Sequence, residues 1–418
     1  MVTLPPAVSG ARPLLGHTRE FLRDPGELVR RGHAEHGRMF SVRLPGRPGV
    51  VLLGQDNAKF FHAESDALRL RIREAYRFLR HMFGHNTFWL APHEEYQRQR
   101  AVLAPQFCPT RITRHAEEVE RRTNALIDSL PDAGTVELTG LLGPLVIEIA
   151  TSLFLGDDAA SRFRGPLTEF RAFADGMNPV LPGWVPAPHL LRSHRARDRL
   201  RRITSVLVAE RRAIPAEEPD FLELMANAPS RDDDPLADLV VMLVWVGHET
   251  TTGHLCWALT DLLRHPDELA RVPDDAFLGR ALQESERLRP VTPFLARVAT
   301  VDIPHESYVI PRGATVMPHP GVSHRDAEVF SDPGGYRPDR FLSEPASALQ
   351  AFGGGIHRCL GEHFARLEMK VVITRLVGRL EMRLLDGEPV TVRGHRSNWP
   401  RRPCRVAYAK KLPRFLPT

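Results

Sequence analysis

Apolar residues recur at three- and four-residue spacing through the middle of the chain, the mark of helices that bury one face. The pattern predicts helices over His93–Ala104, Arg111–Leu130, Thr139–Leu155 and His189–Ala213, and a long one over Pro235–Arg264. Asp232, Asp233 and Asp234 precede Pro235, as suits a helix start, and Pro266 follows its end. A last helix is expected over Glu362–Leu376. Two short alternating runs, Met39–Leu44 and Val50–Leu53, flank Pro45-Gly46-Arg47-Pro48-Gly49 and read as strands around a turn. From Pro290 to Pro345 the chain is rich in Pro and Gly, with strand-like pieces such as Thr315–Met317. Long irregular stretches inside a compact protein usually serve function. The expected fold is mainly α with a small β region near one end, residues 1–418 forming one domain.

Composition narrows the classes. Only four cysteines occur, Cys108, Cys256, Cys359 and Cys404, with no C-x-x-C pair, which argues against a disulfide scaffold, a structural zinc module and c-type haem attachment. The net charge of +5 comes mostly from arginine, and 51 acids are interspersed, so no basic run suggests nucleic acid as a partner. The Pro-rich start, MVTLPPAVSGARPLLG, reads as neither signal peptide nor anchor. The most apolar stretches are Leu141–Gly156, broken by Glu148, and Leu239–Gly247, which is too short to span a bilayer. The expectation is a cytoplasmic protein with reduced thiols, no membrane anchor and no internal repeat.

The sharpest feature is Phe352-Gly353-Gly354-Gly355-Ile356-His357-Arg358-Cys359-Leu360-Gly361, just ahead of the last helix. A phosphate-cradling loop would carry Lys followed by Ser or Thr after its glycines, and none is present. A cysteine phosphatase would want Arg six residues after the cysteine, where Ala365 stands, with Arg366 one place too late. A lone thiolate cannot hold zinc or an iron–sulfur cluster, but it can be the axial ligand of haem iron, because the porphyrin supplies four donors. The glycines then let backbone N–H groups approach the sulfur, and the helix that follows adds its positive end. The alternative is a buried structural cysteine in a turn.

In this loop the sequence resembles the cytochrome P450 family, whose signature Phe-Gly-x-Gly-x-His/Arg-x-Cys-x-Gly it matches at every fixed position. The resemblance implies a triangular, helix-rich prism around haem b, with Cys359 as the thiolate ligand, Phe352 and Gly353 beside the cofactor and His357 on a propionate. Glu284-Ser285-Glu286-Arg287 fits the family's E-x-x-R motif, whose i,i+3 spacing puts Glu284 and Arg287 on one helical face. In the family a downstream residue completes that brace; Tyr336-Arg337-Pro338-Asp339-Arg340-Phe341 offers Arg337 or Arg340. Arg297 and Arg100 stand where relatives pair arginines with propionates, and Tyr96 stands four residues before Arg100 where many bacterial relatives have His.

The long helix contains Val246-Gly247-His248-Glu249-Thr250-Thr251-Thr252-Gly253-His254. A zinc-protease reading of His248-Glu249 fails, because it needs a second His at i+4 and His254 is at i+6. The resemblance instead makes Gly247 the residue that opens an oxygen-binding groove and Glu249 and Thr250 an acid–alcohol pair that delivers protons. Val246 replaces a smaller residue of the family's pattern. The His-Glu-Thr-Thr run is similar to that of the sterol-demethylase branch, except that Glu249 stands where that branch usually has His. Leu68–Leu90, Phe173–Val185, Leu243–Thr250, Val291–Leu295 and the turn at Trp399 are expected to line a substrate pocket, with Phe83, Phe88, Trp89, Phe173, Trp184, Phe294 and Leu295 making it apolar and aromatic.

The resemblance thus implies a haem-thiolate monooxygenase acting on a hydrophobic small molecule: a terpenoid, polyketide or aromatic natural product of bacterial secondary metabolism. An oxidative coupling enzyme, a peroxygenase and a non-catalytic haem sensor are the alternatives. The length leaves no room for a fused reductase, so a separate ferredoxin or flavodoxin with its reductase is the expected donor to a monomer. Arg358, His363 and Arg366 are the expected basic docking patch.

Overall fold

The computed structural model describes residues 4–156, 162, 167–174, 176, 187–214, 221–227, 234–387, 398–400 and 403–412. The helices that matter for the site are α1 (Gln55–Asp66), α2 (His93–Leu103), α3 (Leu138–Leu155), α4 (Asp234–Arg264), α5 (Asp275–Leu288) and α6 (Glu362–Arg379). Five of the six predicted helices start and end within a few residues of the observed bounds; the sixth, Arg111–Leu130, is broken. Its first turns are a short helix Pro109–Ile112 and a tighter turn Thr113–His115, and the regular helix begins at Ala116. The Thr113 hydroxyl donates to the carbonyl of Thr110 (3.1 Å), a local bond that competes with the helical ladder.

α4 runs through the interior, and α3 lies against it. Two glycines face this contact, Gly143 at ordinary distance and Gly247 tightly. A Cβ on Gly143 would lie 3.9 Å from His248 Nε2 and from Thr252 Cγ2, and one on Gly247 would lie 3.3 Å from Phe154 Cε2. α3 is long and apolar enough to cross a membrane, yet 72% of it is buried inside the protein, and its hydropathy is that of a core helix.

The strand region is larger and less local than expected. β1 (Met39–Leu44) and β2 (Arg47–Leu52) form an antiparallel hairpin in which Leu44 pairs with Arg47, so the turn is Pro45-Gly46 and the second strand begins three residues early. Gly46 takes φ +77°, which a side chain would disfavour. The five-stranded sheet is completed from far along the chain by β3 (Leu70–Arg71), β4 (Arg297–Ala299) and β5 (Thr315–Pro318), in the order β1-β2-β5-β4-β3. β2 pairs with β5 in parallel, Val50 opposite Val316 and Val51 opposite Met317. A second sheet joins Ala133–Glu137, Arg405–Lys410 and Leu380–Leu384. The main core is helical, and separate apolar clusters fill the two faces of the five-stranded sheet.

Candidate functional site

The loop Phe352–Gly361 closes on itself before α6 begins. Cys359 N–H donates to Phe352 O (2.9 Å) and Arg358 N–H to Gly355 O (3.0 Å). Gly353 and Gly355 take φ +66° and +58°, conformations that favour glycine. Their neighbours give the glycine run a further reason. A Cβ on Gly354 would lie 2.7 Å from the His62 ring, and one on Gly355 would collide with the Asp66 carboxylate. Asp66 Oδ1 in turn accepts the Ile356 N–H (2.8 Å). Part of the work expected of the glycines at the sulfur is therefore the docking of α1 onto the loop.

Cys359 is accessible at its surface yet surrounded by protein, so it lies at the floor of a recess. Burial pushes its thiol pKa up, opposed by the Gly361 N–H and more weakly by Arg100 and Arg358, while Glu362 raises it further. Cys256 and Cys404 are fully buried in the apolar core, and Cys404 Sγ lies 3.7 Å from the Thr260 hydroxyl. Cys108 lies beside Thr110, outside the core.

One side of the recess gathers cations. Arg297, at the start of β4, is 4% exposed; its Nη1 donates to its neighbour's carbonyl at Ala296 (2.8 Å), and Nε has no partner. Desolvation pulls its pKa down to about 10. His357 has an unpartnered Nδ1, and burial, with help from Arg297, Arg100, His93 and His62, drives its pKa to about 3. His62 Nδ1 is unpartnered too, and burial lowers the pKa of that ring. Arg100, on α2, donates to Arg358 O (2.9 Å), and Tyr96 Oη, one turn earlier, donates to Ile356 O (2.9 Å). Among the described residues neither Arg297 nor Arg100 forms an ion pair. A buried guanidinium without an anion is costly, and two carboxylates placed here would neutralise it and fill the open nitrogens. The residues present therefore fit the two propionates of haem, and the single thiol on the recess floor fits its fifth ligand.

Behind the loop stands a fully buried charge network. Arg287 on α5 grips Glu284 bidentately (Nε–Oε2 2.8 Å, Nη2–Oε1 2.9 Å), and Arg340 Nε reaches Glu284 Oε1 at 2.9 Å. All three side chains are 0% exposed. Of the two arginines offered by the sequence, Arg340 is the side-chain partner; Arg337 contributes its backbone N–H to the same oxygen (2.9 Å). The remaining guanidinium hydrogens go to the Glu344 carboxylate (2.8 Å) and to carbonyls of His324, Ser331, Asp332, Pro333 and Gly335. The network pins the chain that leads into the cysteine loop.

α4 changes character at its middle. Residues 236–244 and 251–262 are buried, whereas Trp245, Val246, Gly247, Glu249 and Thr250 are partly exposed although the helix runs through the interior, apart from Leu263 and Arg264 at its end. Thr250 Oγ1 donates to Val246 O (2.7 Å), which leaves the hydroxyl lone pairs available as acceptors. Gly247 differs from expectation: the direction of its missing side chain leads to Phe154 and Ala150 on α3, so it serves close helix packing. Trp399 Nε1 donates to Glu249 O (2.9 Å), a contact between the C-terminal turn and α4 that no local pattern announces.

The proposed pocket residues divide. Phe83 and Phe173 are fully buried and meet edge-on at 5.2 Å, with Trp245 tilted 5.7 Å from Phe83, so they back the wall rather than face a cavity. Phe88 is nearly buried against Tyr96 (5.1 Å), and Trp89 is half-buried against Tyr76 (6.0 Å). Val246 and Leu295 are half-buried. Phe294 is a correction: it packs on Phe21 (5.2 Å) and His319 (4.6 Å) in the apolar cluster of the sheet, where Leu295 N–H on Pro318 O (3.3 Å) ties the segment to β5. Trp184 lies outside the described residues. Arg366 is a second correction, since its guanidinium is turned inward: it pairs with Glu286 (2.9 Å) and Glu362 (3.0 Å) and stacks 4.8 Å over the Phe352 ring. Sequence reasoning also missed His62 and Asp66, for which the glycine at position 354 was the available signal.

A family model described as Cytochrome P450 matches residues 5–400. The sterol 14alpha-demethylase of Mycolicibacterium vanbaalenii is 27% identical, over 97% of this chain and 98% of that relative. The human lanosterol 14-alpha demethylase is 26% identical, over 94% of this chain and 84% of the relative. Among solved structures, the retinoic acid bound cyanobacterial CYP120A1 superposes with a TM-score of 0.88 at 24% identity, covering 98% of this chain and all of that one.

Proposed function

The chain belongs to the cytochrome P450 family and is a haem-thiolate monooxygenase, and from that premise we propose that Cys359 is its axial ligand and that its substrate is a terpenoid. The observation that carries the ligand assignment is the recess itself: one accessible thiol at its floor, a helix start behind it, and uncompensated cations along one wall. Cys359 would supply the thiolate, with Gly361 N–H directed at the sulfur; Arg297, Arg100 and His357 would hold the propionates, and Tyr96 would fix the loop through Ile356. Bound there, haem supplies oxygen activation with electrons drawn from a redox partner.

The chain's own residues then manage protons, water and orientation. Glu249 lies on the partly exposed stretch of α4 and can pass a proton inward through water, and the Thr250 hydroxyl, fixed by its bond to Val246 O, can accept a hydrogen bond at Oγ1 from the water that carries it and so orient that water. Val246 adds bulk to this stretch of α4, and the aromatic wall of Trp245 and Phe83 would keep bulk water out. The preference for a terpenoid over a polyketide or aromatic product is supported by the sterol-directed names of the relatives. A cytoplasmic setting, one domain over 1–418, a role in secondary metabolism and a ferredoxin or flavodoxin donor belong to the same proposal. Arg358, which is 60% exposed, and the exposed His363 remain as its docking residues.

The test is optical. Reduced protein with carbon monoxide is expected to give the red-shifted Soret band of thiolate ligation. Cys359→Ser removes it; persistence of the band in that variant, with loss in Cys404→Ser, would refute the assignment. A spin-state screen of sterols, smaller terpenoids, macrolides and polyaromatics, followed by product analysis, tests the substrate class; a shift confined to macrolides or polyaromatics rejects the terpenoid.

A further inference from the structure

Glu249, Gly253 and Trp257 recur every four residues and so form one stripe along α4. The turn Asn398-Trp399 is laid along that stripe. Trp257, fully buried, donates its indole N–H to Asn398 O (2.7 Å). Asn398 is held from the other side as well, its N–H on Val291 O and its Nδ2 on Pro290 O, both at 2.7 Å. Trp399 then places its own indole N–H on Glu249 O at 2.9 Å. Its ring occupies the space where Gly253 lacks a side chain, since a Cβ there would lie 2.9 Å from Trp399 Cδ1 and 3.1 Å from Nε1.

Two features make this more than packing. A helical carbonyl already has an acceptor role within the ladder, and an external donor uses its second lone pair, so the peptide is held from outside the helix. The carbonyl chosen is that of Glu249, next to Thr250, on the partly exposed stretch of an otherwise buried helix. Every other residue of the stripe serves the same contact: Gly253 by making room and Trp257 by anchoring Asn398.

We propose that Trp399 is a positioning residue for the Glu249–Thr250 pair, its indole N–H seated on Gly253 and holding the Glu249 peptide, so that the C-terminal turn sets proton delivery. This rests on the reading of Glu249 and Thr250 as the proton path.

Trp399→Phe keeps a ring over Gly253 and deletes one N–H; Gly253→Ala displaces the ring. Hydrogen exchange followed by mass spectrometry on the substrate-free haem protein reads the clamp directly. Both variants are expected to exchange about fivefold faster across residues 246–256, the equivalent of one net hydrogen bond, with other segments unchanged. The second readout needs no substrate. With a surrogate ferredoxin and its reductase, oxygen is reduced either by two electrons and two protons to peroxide or by four electrons and four protons to water. A looser proton path raises the share recovered as peroxide, so both variants should raise it while keeping the carbon monoxide band. Unchanged exchange together with an unchanged peroxide share in Trp399→Phe overturns the proposal. Glu249→Gln separates the two claims: if it leaves the peroxide share unaltered, the proton-path reading falls, whereas faster exchange in Trp399→Phe still establishes the clamp.

Discussion

At the level of single residues, the site depends on charges whose partners lie far away in sequence. Glu286 occupies an inner position of the E-x-x-R motif, is 1% exposed, and is matched by Arg366 from α6. Burial raises its pKa and the Arg366 guanidinium lowers it, so the pair is held together by a charge that water cannot solvate. Arg366→Leu leaves that carboxylate buried and alone and also removes the cation stacked over Phe352. The expected cost is about 3–5 kcal/mol by denaturant titration, the range for breaking one half of a buried pair. Glu286→Gln added to it should recover a large part of the loss, which a double-mutant cycle measures. The sequence made Arg366 look like a surface cation, because a residue one helical turn beyond a glycine-rich loop has no local sign of which way it points.

Among the elements, α5 and the irregular stretch after it act as a brace. The Glu284–Arg287–Arg340 network is fully satisfied, which is the condition under which buried charges are tolerated. Glu284→Ala strands the Arg287 guanidinium at 0% exposure and leaves Arg340 with Glu344 as its remaining carboxylate partner. We expect it to yield little soluble protein with bound haem, and whatever folds to be at least about 3 kcal/mol less stable. A variant with normal thermal unfolding and a normal carbon monoxide band would contradict the brace. Elements also show what sequence conveys and what it does not. The helical period placed α2, α3, α4 and α6 within a few residues, since each buries one face over several turns. β3 and β4 have two and three residues, too few for any alternation, and their partners are remote, so neither was visible. The cysteine loop and the acid–alcohol pair were legible because their spacing is local. The docking of α1 on Gly354 and Gly355, and of Trp399 on Gly253, joins segments with no shared period.

For the molecule as a whole, three buried histidines tie stability to pH. His254, His319 and His324 each accept a backbone N–H on a ring nitrogen, from Val291, Val322 and Gln350 respectively, and must be neutral to do so. Burial, the leading cause in each, holds their pKa values at about 4, 4 and 3. The ordinary value is 6.5, so between about 6.5 and 4 the unfolded chain binds protons that the folded one refuses. Stability from these rings is complete above 6.5 and is lost as pH falls through that window. Buried acids such as Glu286 and Glu368, with raised pKa values, tilt the curve the other way, so the effect is read as a difference. The penalty of His324→Gln relative to the natural chain should be largest at pH 7 and shrink toward pH 5. A penalty independent of pH would mean that His324 titrates normally.

The parallel pairing of β2 with β5 has a consequence for biosynthesis. Gly49 must wait for Thr315 before that edge of the hairpin is covered, and Arg297 takes its place in the same sheet only when Val316 is there to pair with it. At ribosomal speeds of about 5–20 residues per second, the early hairpin stays open on one side for tens of seconds. The wall that carries Arg297 and the loop that carries Cys359 therefore emerge close together and late, so cofactor capture belongs to the end of synthesis, when the nascent chain already holds most of its helices.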